Sequence, residues 1–286
     1  MRYESAQAFR AALDARIRNE SDARKLEPGR LRRRVVFERI VARLVAADPD
    51  GWIVKGGVAL EARFPHRARM TRDLDLAVMT GAVDQAAVVE EVAEALLHDP
   101  AGDLFEFEIT GVSELAADLA GRPGWRLSID ARLGGSVFDS TRLEVVVRED
   151  EIVGVEQLEL PNTLGFADIP PVTARFVDQR QHFAEKLHAF TRDYGDRDNS
   201  RVKDLPDMLL LIDNGLAPDA ELAGVVEHVF AARGTHPVPD TLPDPAPAWV
   251  VQYPREVVHL DVSARTLAEA MSTLRTFWTQ VREDAA

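Results

Sequence analysis

Asp73 and Asp75 stand one residue apart in the run Thr71-Arg72-Asp73-Leu74-Asp75-Leu76. Strand side chains alternate between faces, so both acids share one face while Leu74 and Leu76 enter the core. Two carboxylates about 6–7 Å apart along a strand can hold divalent cations between them. Upstream, the short apolar run Trp52-Ile53-Val54 leads through Lys55 into Gly56-Gly57 and a helical segment from Val58 to Phe64. Paired glycines let backbone approach a phosphate closely, and the helix they open offers free N–H groups to that anion. A metal cradle and a phosphate cradle therefore belong to one strand–turn–strand unit.

The elements that must position this unit follow from hydrophobic periodicity. Ser5 to Asn19 (Phe9, Leu13, Ile17) and Gly29 to Ala47 (Leu31, Val35, Ile40, Val41, Leu44) read as a helical lead-in. Beyond Asp75, Asp84 to His98 reads as a helix ended by Asp99-Pro100, and Phe105 to Ile109 as a half-exposed strand. Trp125 to Leu133 alternates cleanly, with Asp130 in the middle of its polar face between Arg126 and Arg132. Arg142 to Arg148 and Gly154 to Leu160 read as further strands. A connector around Pro161, Pro170 and Pro171 suggests a division near Val172, giving residues 1–171 as a sheet domain with N-terminal helices and 172–286 as a mostly helical domain. In the second part, helices are expected over Asp178 to Arg192, Ala220 to Ala232 and Ser263 to Arg282. The proline-rich stretch Thr235 to Ala248 is expected to be an extended loop.

Three further charged residues have two readings each. Asp130 taken alone is a solvent-facing strand aspartate; beside Asp73 and Asp75 it becomes a candidate third acid. Lys186, in a helix whose Phe183, Leu187 and Phe190 point inward, reads as a solvated surface charge. Asp204, just ahead of Leu205-Pro206 with Asp207 three residues on, reads as a helix cap.

Composition narrows the function classes. The chain of 286 residues is 46% hydrophobic and 29% charged, ordinary for a globular protein with a real core. It lacks cysteine, which excludes a disulfide framework and thiolate chemistry. No apolar run is long enough to span a bilayer and no signal-peptide core is evident, so a cytoplasmic protein with no membrane partner is expected. A net charge of −14 argues against nucleic-acid binding over the whole surface. Two local basic patches remain: Arg30, Arg32, Arg33 and Arg34; and Arg63, Arg67, Arg69 and Arg72 with His66. Each reads either as a solvated face or as a guide for phosphates.

Gly56-Gly57 followed by Thr71-x-Asp73-x-Asp75 resembles the first motif of the DNA polymerase β-like nucleotidyltransferases. The opening Lys55-Gly-Gly-x-Ala-Leu60 and the run Arg69-Met-Thr-Arg-Asp-Leu-Asp75 resemble, more narrowly, the AbiEii/MenT group of nucleotidyltransferase toxins. Glu185-Lys-Leu-His-Ala-Phe190 and Lys203-Asp-Leu-x-Asp207 resemble that group's later blocks, so the likeness spans most of Lys55 to Ile212. Thr71 stands where serine is frequent, and the hydroxyl is kept. The resemblance implies an α+β (mixed α/β) fold, a polymerase β-like sheet with flanking helices plus a largely helical C-terminal domain contributing Lys186 and Asp204. It implies that Asp73, Asp75 and Asp130 bind two Mg²⁺ (or Mn²⁺) ions. Gly56, Gly57, Thr71 and Lys186 would hold the triphosphate, and Asp204 would orient Lys186 or the nucleotide. It further implies an NTP substrate, an RNA acceptor (tRNA 3′ ends above all) with Arg67, Arg69 and Arg72 on the RNA, a block of translation, and a separately encoded antitoxin. Two rival readings remain: a protein adenylyltransferase of the same fold, and a non-catalytic nucleotide- or partner-binding module.

Overall fold

A computed structural model describes the chain except residues 66, 70, 80–83, 116–121, 149, 196–198 and 285–286. Two helices lead in, α1 (Ala6–Arg24) and α2 (Pro28–Ala47). Strand β1 (Trp52–Lys55), helix α3 (Gly56–Arg63) and strand β2 (Asp73–Val78) then form the unit read from the sequence. After α4 (Gln85–Leu97) come β3 (Glu106–Glu114), β4 (Gly124–Leu133), β5 (Ser136–Val147), β6 (Val155–Glu159) and β7 (Thr173–Val177). The remainder is helical: α5 (Gln179–Thr191), α6 (Asp204–Asp213), α7 (Ala220–Arg233), α8 (Trp249–Glu256) and α9 (Leu267–Asp284).

The strands form one mixed sheet in the order β3-β4-β5-β2-β1-β7-β6. β2 lies at its centre, antiparallel to β1 and parallel to β5. Its alternation of half-buried Asp73 and Asp75 with buried Leu74 and Leu76 follows the pattern expected of a strand covered on one face. The fold is thus mixed α/β with a helical C-terminal part. β7 pairs with β1 and β6, so the sheet runs through Val177, past the division expected near Val172. Helix α8 closes the proline-rich stretch and was not read from the sequence; Pro254 lies inside it.

Two apolar clusters hold the chain together. One packs α1, α2 and α4 on the sheet around Phe9, Val35, Ile53, Leu74 and Leu143; the other joins α5 to α9 around Phe183, Leu209, Trp249 and Leu274. Leu60 of α3 belongs to the second cluster, while its neighbours Val58 and Ala59 belong to the first. The helix that opens with Gly56-Gly57 is therefore wedged between both halves. α2 is buried nearly all round, and its buried arginines are paired: Arg43 forks onto Asp103 at 2.7 and 2.8 Å, Arg39 reaches the same acid at 3.6 Å, and Arg34 pairs with Glu61 of α3. A buried charge survives only with such partners.

Candidate active site

β1 and β2 place Lys55 opposite Asp75, and the chain turns into α3 directly after Lys55. Gly56 has φ +60, a left-handed conformation that glycine adopts without strain. Its second constraint is steric. A Cβ on Gly56 would come within 1.9 Å of the Asp75 Oδ2, and one on Gly57 within 2.6 Å of the Thr71 Cβ. The glycines therefore make room for the acid and the hydroxyl of the next strand, in addition to leaving backbone N–H groups open. α3 begins with no side chain capping its first turn. Thr71 Oγ1 donates to the carbonyl of Asp73 at 3.2 Å, fixing the entry to β2.

The strand register decides which acids meet. Asp75 lies beside Glu144 of β5, which lies beside Arg126 of β4; Asp73 lies beside Arg142 in the next row. Arg126 donates to Glu144 from Nε at 2.9 Å and Nη2 at 2.6 Å. Asp75 is pushed up to about 6 by burial, then by Glu144 and Asp73. Asp130 is not part of this group. It pairs across β4–β5 with Ser140, whose hydroxyl donates to it at 2.6 Å, and it does not line the cavity in front of Asp73 and Asp75. β5 stands between β4 and β2, so Asp130 is two strand spacings, about 10 Å, from the central strand and one row beyond Asp73. The sequence carried a signal for Glu144 in the alternation of Leu143, Val145 and Val147, which puts Glu144 on the polar face; only the strand order shows that face beside Asp75.

The opposite wall is helical. Lys186 of α5 is only 8% exposed, and its Nζ donates to Asp204 at 3.1 Å and Asp207 at 2.7 Å. Arg69, on the loop before β2, grips Asp207 from the other side, Nε to Oδ1 at 3.1 Å and Nη2 to Oδ2 at 2.9 Å. Burial opposes the charge on Asp207, but Arg69 and Lys186 hold it down to about 2. Burial likewise opposes the charge on Lys186, yet Asp207 and Asp204 keep it above its ordinary value. Lys186 is thus no surface charge. Asp204 is the first residue of α6 rather than its cap, which is Lys203. Asp207, which the sequence offered as a cap neighbour and as the last residue of the Lys203-Asp-Leu-x-Asp207 block, is the acid that ties Lys186 to Arg69. His182, one turn before Lys186 and on the same wall, is held neutral by burial and by Lys186.

Between the walls lies a cavity of about 740 Å³ that Gly56, Gly57, Thr71, Asp73, Asp75 and Lys186 all line. Thirteen of its described lining residues are Lys or Arg and six are Asp or Glu, in a chain of net charge −14. The arginines expected on RNA divide. Arg72 is exposed and lines the cavity; Arg69 lines it but is bound to Asp207; Arg67 does not line it and instead pairs with Asn214 and with Asp261 at 2.6 Å. His66 lies outside the described residues.

Among the described residues no three Asp, Glu or His side chains are placed to enclose a metal ion, so the expected three-carboxylate shell does not form. Mg²⁺ is seldom held by an all-protein cage. It takes one or two carboxylates and completes its shell with substrate phosphates and water. Asp73 and Asp75 beside the open first turn of α3 fit that donor set, and the crowding that lifts Asp75 is what a cation would relieve.

Solved structures with a similar chain path include JHP933 from Helicobacter pylori, 12% identical with a TM-score of 0.47 over 90% of this chain and 95% of that one. Another is an antigenic nucleotidyltransferase-like protein from Paracoccidioides brasiliensis, 16% identical with a TM-score of 0.38 over 70% of this chain and 88% of that one. A search of curated protein sequences found no match. The decisive match is to the sequence pattern of the family described as "Nucleotidyl transferase AbiEii toxin, Type IV TA system", which covers residues 39–284, from the middle of α2 to the end of α9. The chain belongs to the AbiEii family of nucleotidyltransferase toxins.

Proposed function

We propose that this nucleotidyltransferase toxin moves a nucleoside monophosphate from an NTP to RNA, with tRNA 3′ ends the favoured acceptor, and that loss of usable tRNA blocks translation in the cytoplasm. The observation that carries the reading is the excess of fixed cations around a carboxylate pair inside an otherwise acidic molecule. Such a cavity favours two polyanions, a triphosphate and a nucleic-acid strand, over an uncharged protein hydroxyl.

In this reading Asp73 and Asp75 hold Mg²⁺. The bound ions supply activation of the attacking hydroxyl and neutralisation of the leaving pyrophosphate. The chain's own residues do the rest. Gly56, Gly57 and the open first turn of α3 receive phosphate oxygens, and Thr71 holds the entry to β2 in place. Lys186, kept charged by Asp204 and Asp207, faces the triphosphate. The acceptor hydroxyl oxygen bonds to the α-phosphorus as the α–β bridging bond breaks, and pyrophosphate leaves. The hydroxyl proton passes to Glu144, the acid beside Asp75 that is not assigned to the metal. A separately encoded antitoxin is the partner expected of a chain in this family.

The test is a transfer assay with total tRNA and each labelled NTP in turn, with and without chelator. Label in RNA that vanishes with EDTA and returns with Mg²⁺ is the expected result. Label in protein instead would favour adenylylation of a protein acceptor, and chelator-resistant transfer would remove the metal from the reading.

A further inference from the structure

α1 and the first half of α2 precede the span that the family shares, yet Arg24, Arg30 and Arg34 from these residues line the cavity. Arg24 lies in the last turn of α1 and Arg30 in the first turn of α2, on either side of a tight connection. That connection is held by Ser21: its carbonyl accepts from the N–H of Leu26 at 3.2 Å, and its hydroxyl donates to the Leu26 carbonyl at 2.6 Å. Lys25 caps α1 in the left-handed conformation. The hairpin is also clamped to the catalytic unit, because Arg34 pairs with Glu61 of α3, both side chains being about 8% exposed. Two arginines are thus presented at a fixed offset from Gly56-Gly57.

Their present partners hold them weakly. Arg24 pairs with Glu20 at 2.9 Å, an acid it shares with Arg34 at 3.6 Å, and Arg30 pairs with Glu27, the cap of α2, at 3.3 Å; Glu20 is 34% exposed and Glu27 79%. Ion pairs of this kind contribute little and exchange readily for a stronger anion. The cations near the reacting acids, Lys55 and Lys186, are by contrast committed to buried partners. The far wall adds Arg201, Lys203 and Arg255. Arg24, Arg30, Arg201, Lys203 and Arg255 together are more cations than one metal-bound triphosphate can neutralise.

Resting on the RNA reading above, we infer that the α1–α2 hairpin is a binding wall for the acceptor strand, whose backbone phosphates meet Arg24 and Arg30 as its terminal hydroxyl reaches Asp73 and Asp75. The hairpin would therefore supply affinity for the acceptor strand and set its approach to the acids, and Arg67 would not.

The experiment measures transfer to total tRNA by the unaltered chain and by the double variant Arg24→Glu, Arg30→Glu, across a salt series, with labelled NTP and Mg²⁺. The expected result is a KM for tRNA raised at least tenfold, and a plot of log affinity against log salt whose slope is shallower by about 1.4, two phosphate contacts at roughly 0.7 each for a single strand. Unchanged KM and slope in the variant, with the unaltered chain labelling RNA, would overturn this inference alone. So would a rise confined to the KM for NTP, which would assign the hairpin to the nucleotide. If the unaltered chain labels protein and not RNA, the RNA reading falls and takes this inference with it. Should the Glu pair melt early, Arg24→Gln with Arg30→Gln decides by the same two readouts.

Discussion

Asp75 lines the cavity on its sheet side, Asp207 lies buried behind Lys186 on the helical side, and the two are driven in opposite directions. Asp75, on the sheet, sits beside Glu144 and Asp73 and is lifted to about 6. Asp207, on the helical wall, is gripped by Arg69 and Lys186 and held down to about 2. The sheet wall is left electrostatically unsatisfied, as a surface awaiting cations would be; the helical wall is satisfied internally and so preorganised. The difference separates the two kinds of charge that a phosphoryl-transfer site needs: acids that must still bind something, and a cation that must already be in place.

The contrast can be broken most severely at Asp75. Asp75→Asn should lower transfer by a thousandfold or more, about 4 kcal/mol of transition-state stabilisation. The same change should raise metal-free stability at pH 7 by about 2 kcal/mol, because it removes a carboxylate that the fold disfavours in its charged form. Mg²⁺ should raise the melting temperature of the unaltered chain and not that of the variant, since only the former gains a ligand on folding. A variant that keeps transfer, or that melts lower, would dissolve the distinction between the walls.

At Asp207 the order reverses. Asp207→Ala strands Arg69 and weakens the hold on Lys186 in a buried setting, and should cost about 3–5 kcal/mol in a urea titration. A loss under 1 kcal/mol would mean the network is dispensable. Gly56→Ala comes next, at about 2–3 kcal/mol with loss of transfer, because a Cβ there meets Asp75 and the left-handed backbone resists it.

The pH dependence of the metal-free protein is a smaller effect and sharpens the comparison directly. The folded value of Asp75 lies above its ordinary 3.8, so its stabilising contribution is present below pH 4 and is lost as pH rises through about 6. Asp207 is the opposite case: its contribution is present above pH 4 and is lost as pH falls toward 2. Melting curves from pH 2 to 7 should therefore lose their decline between pH 4 and 6 in Asp75→Asn, and part of their acid-side fall in Asp207→Asn. Arg67→Glu should move the KM for tRNA less than twofold, since Arg67 is turned to Asn214 and Asp261 and away from the cavity.

Local pattern carried much of the fold. The alternation in Trp125 to Leu133 and the apolar stripe of Asp178 to Arg192 each appear as β4 and α5. β7 was harder, because Thr173 to Val177 is only five residues long and follows two prolines. α8 was obscured by Pro254 within it and by the proline-rich stretch before it. At the site, Gly56-Gly57, Thr71, Asp73 and Asp75 were visible because they lie within one strand–turn–strand unit, where spacing alone sets geometry.

What the sequence determined by itself is this local unit and its period: which residues share a strand face, and where a helix opens on glycine. Tertiary structure alone decided which distant residues join it. The choice of Glu144 over Asp130 depends on β5 being the strand next to β2, a fact of strand order that no periodicity encodes. The burial of Lys186 depends on α6 and the Arg69 loop covering a face that helical spacing marks only as polar. Short-range spacing is set by backbone geometry, whereas long-range pairing is set by which surfaces find each other when the chain packs.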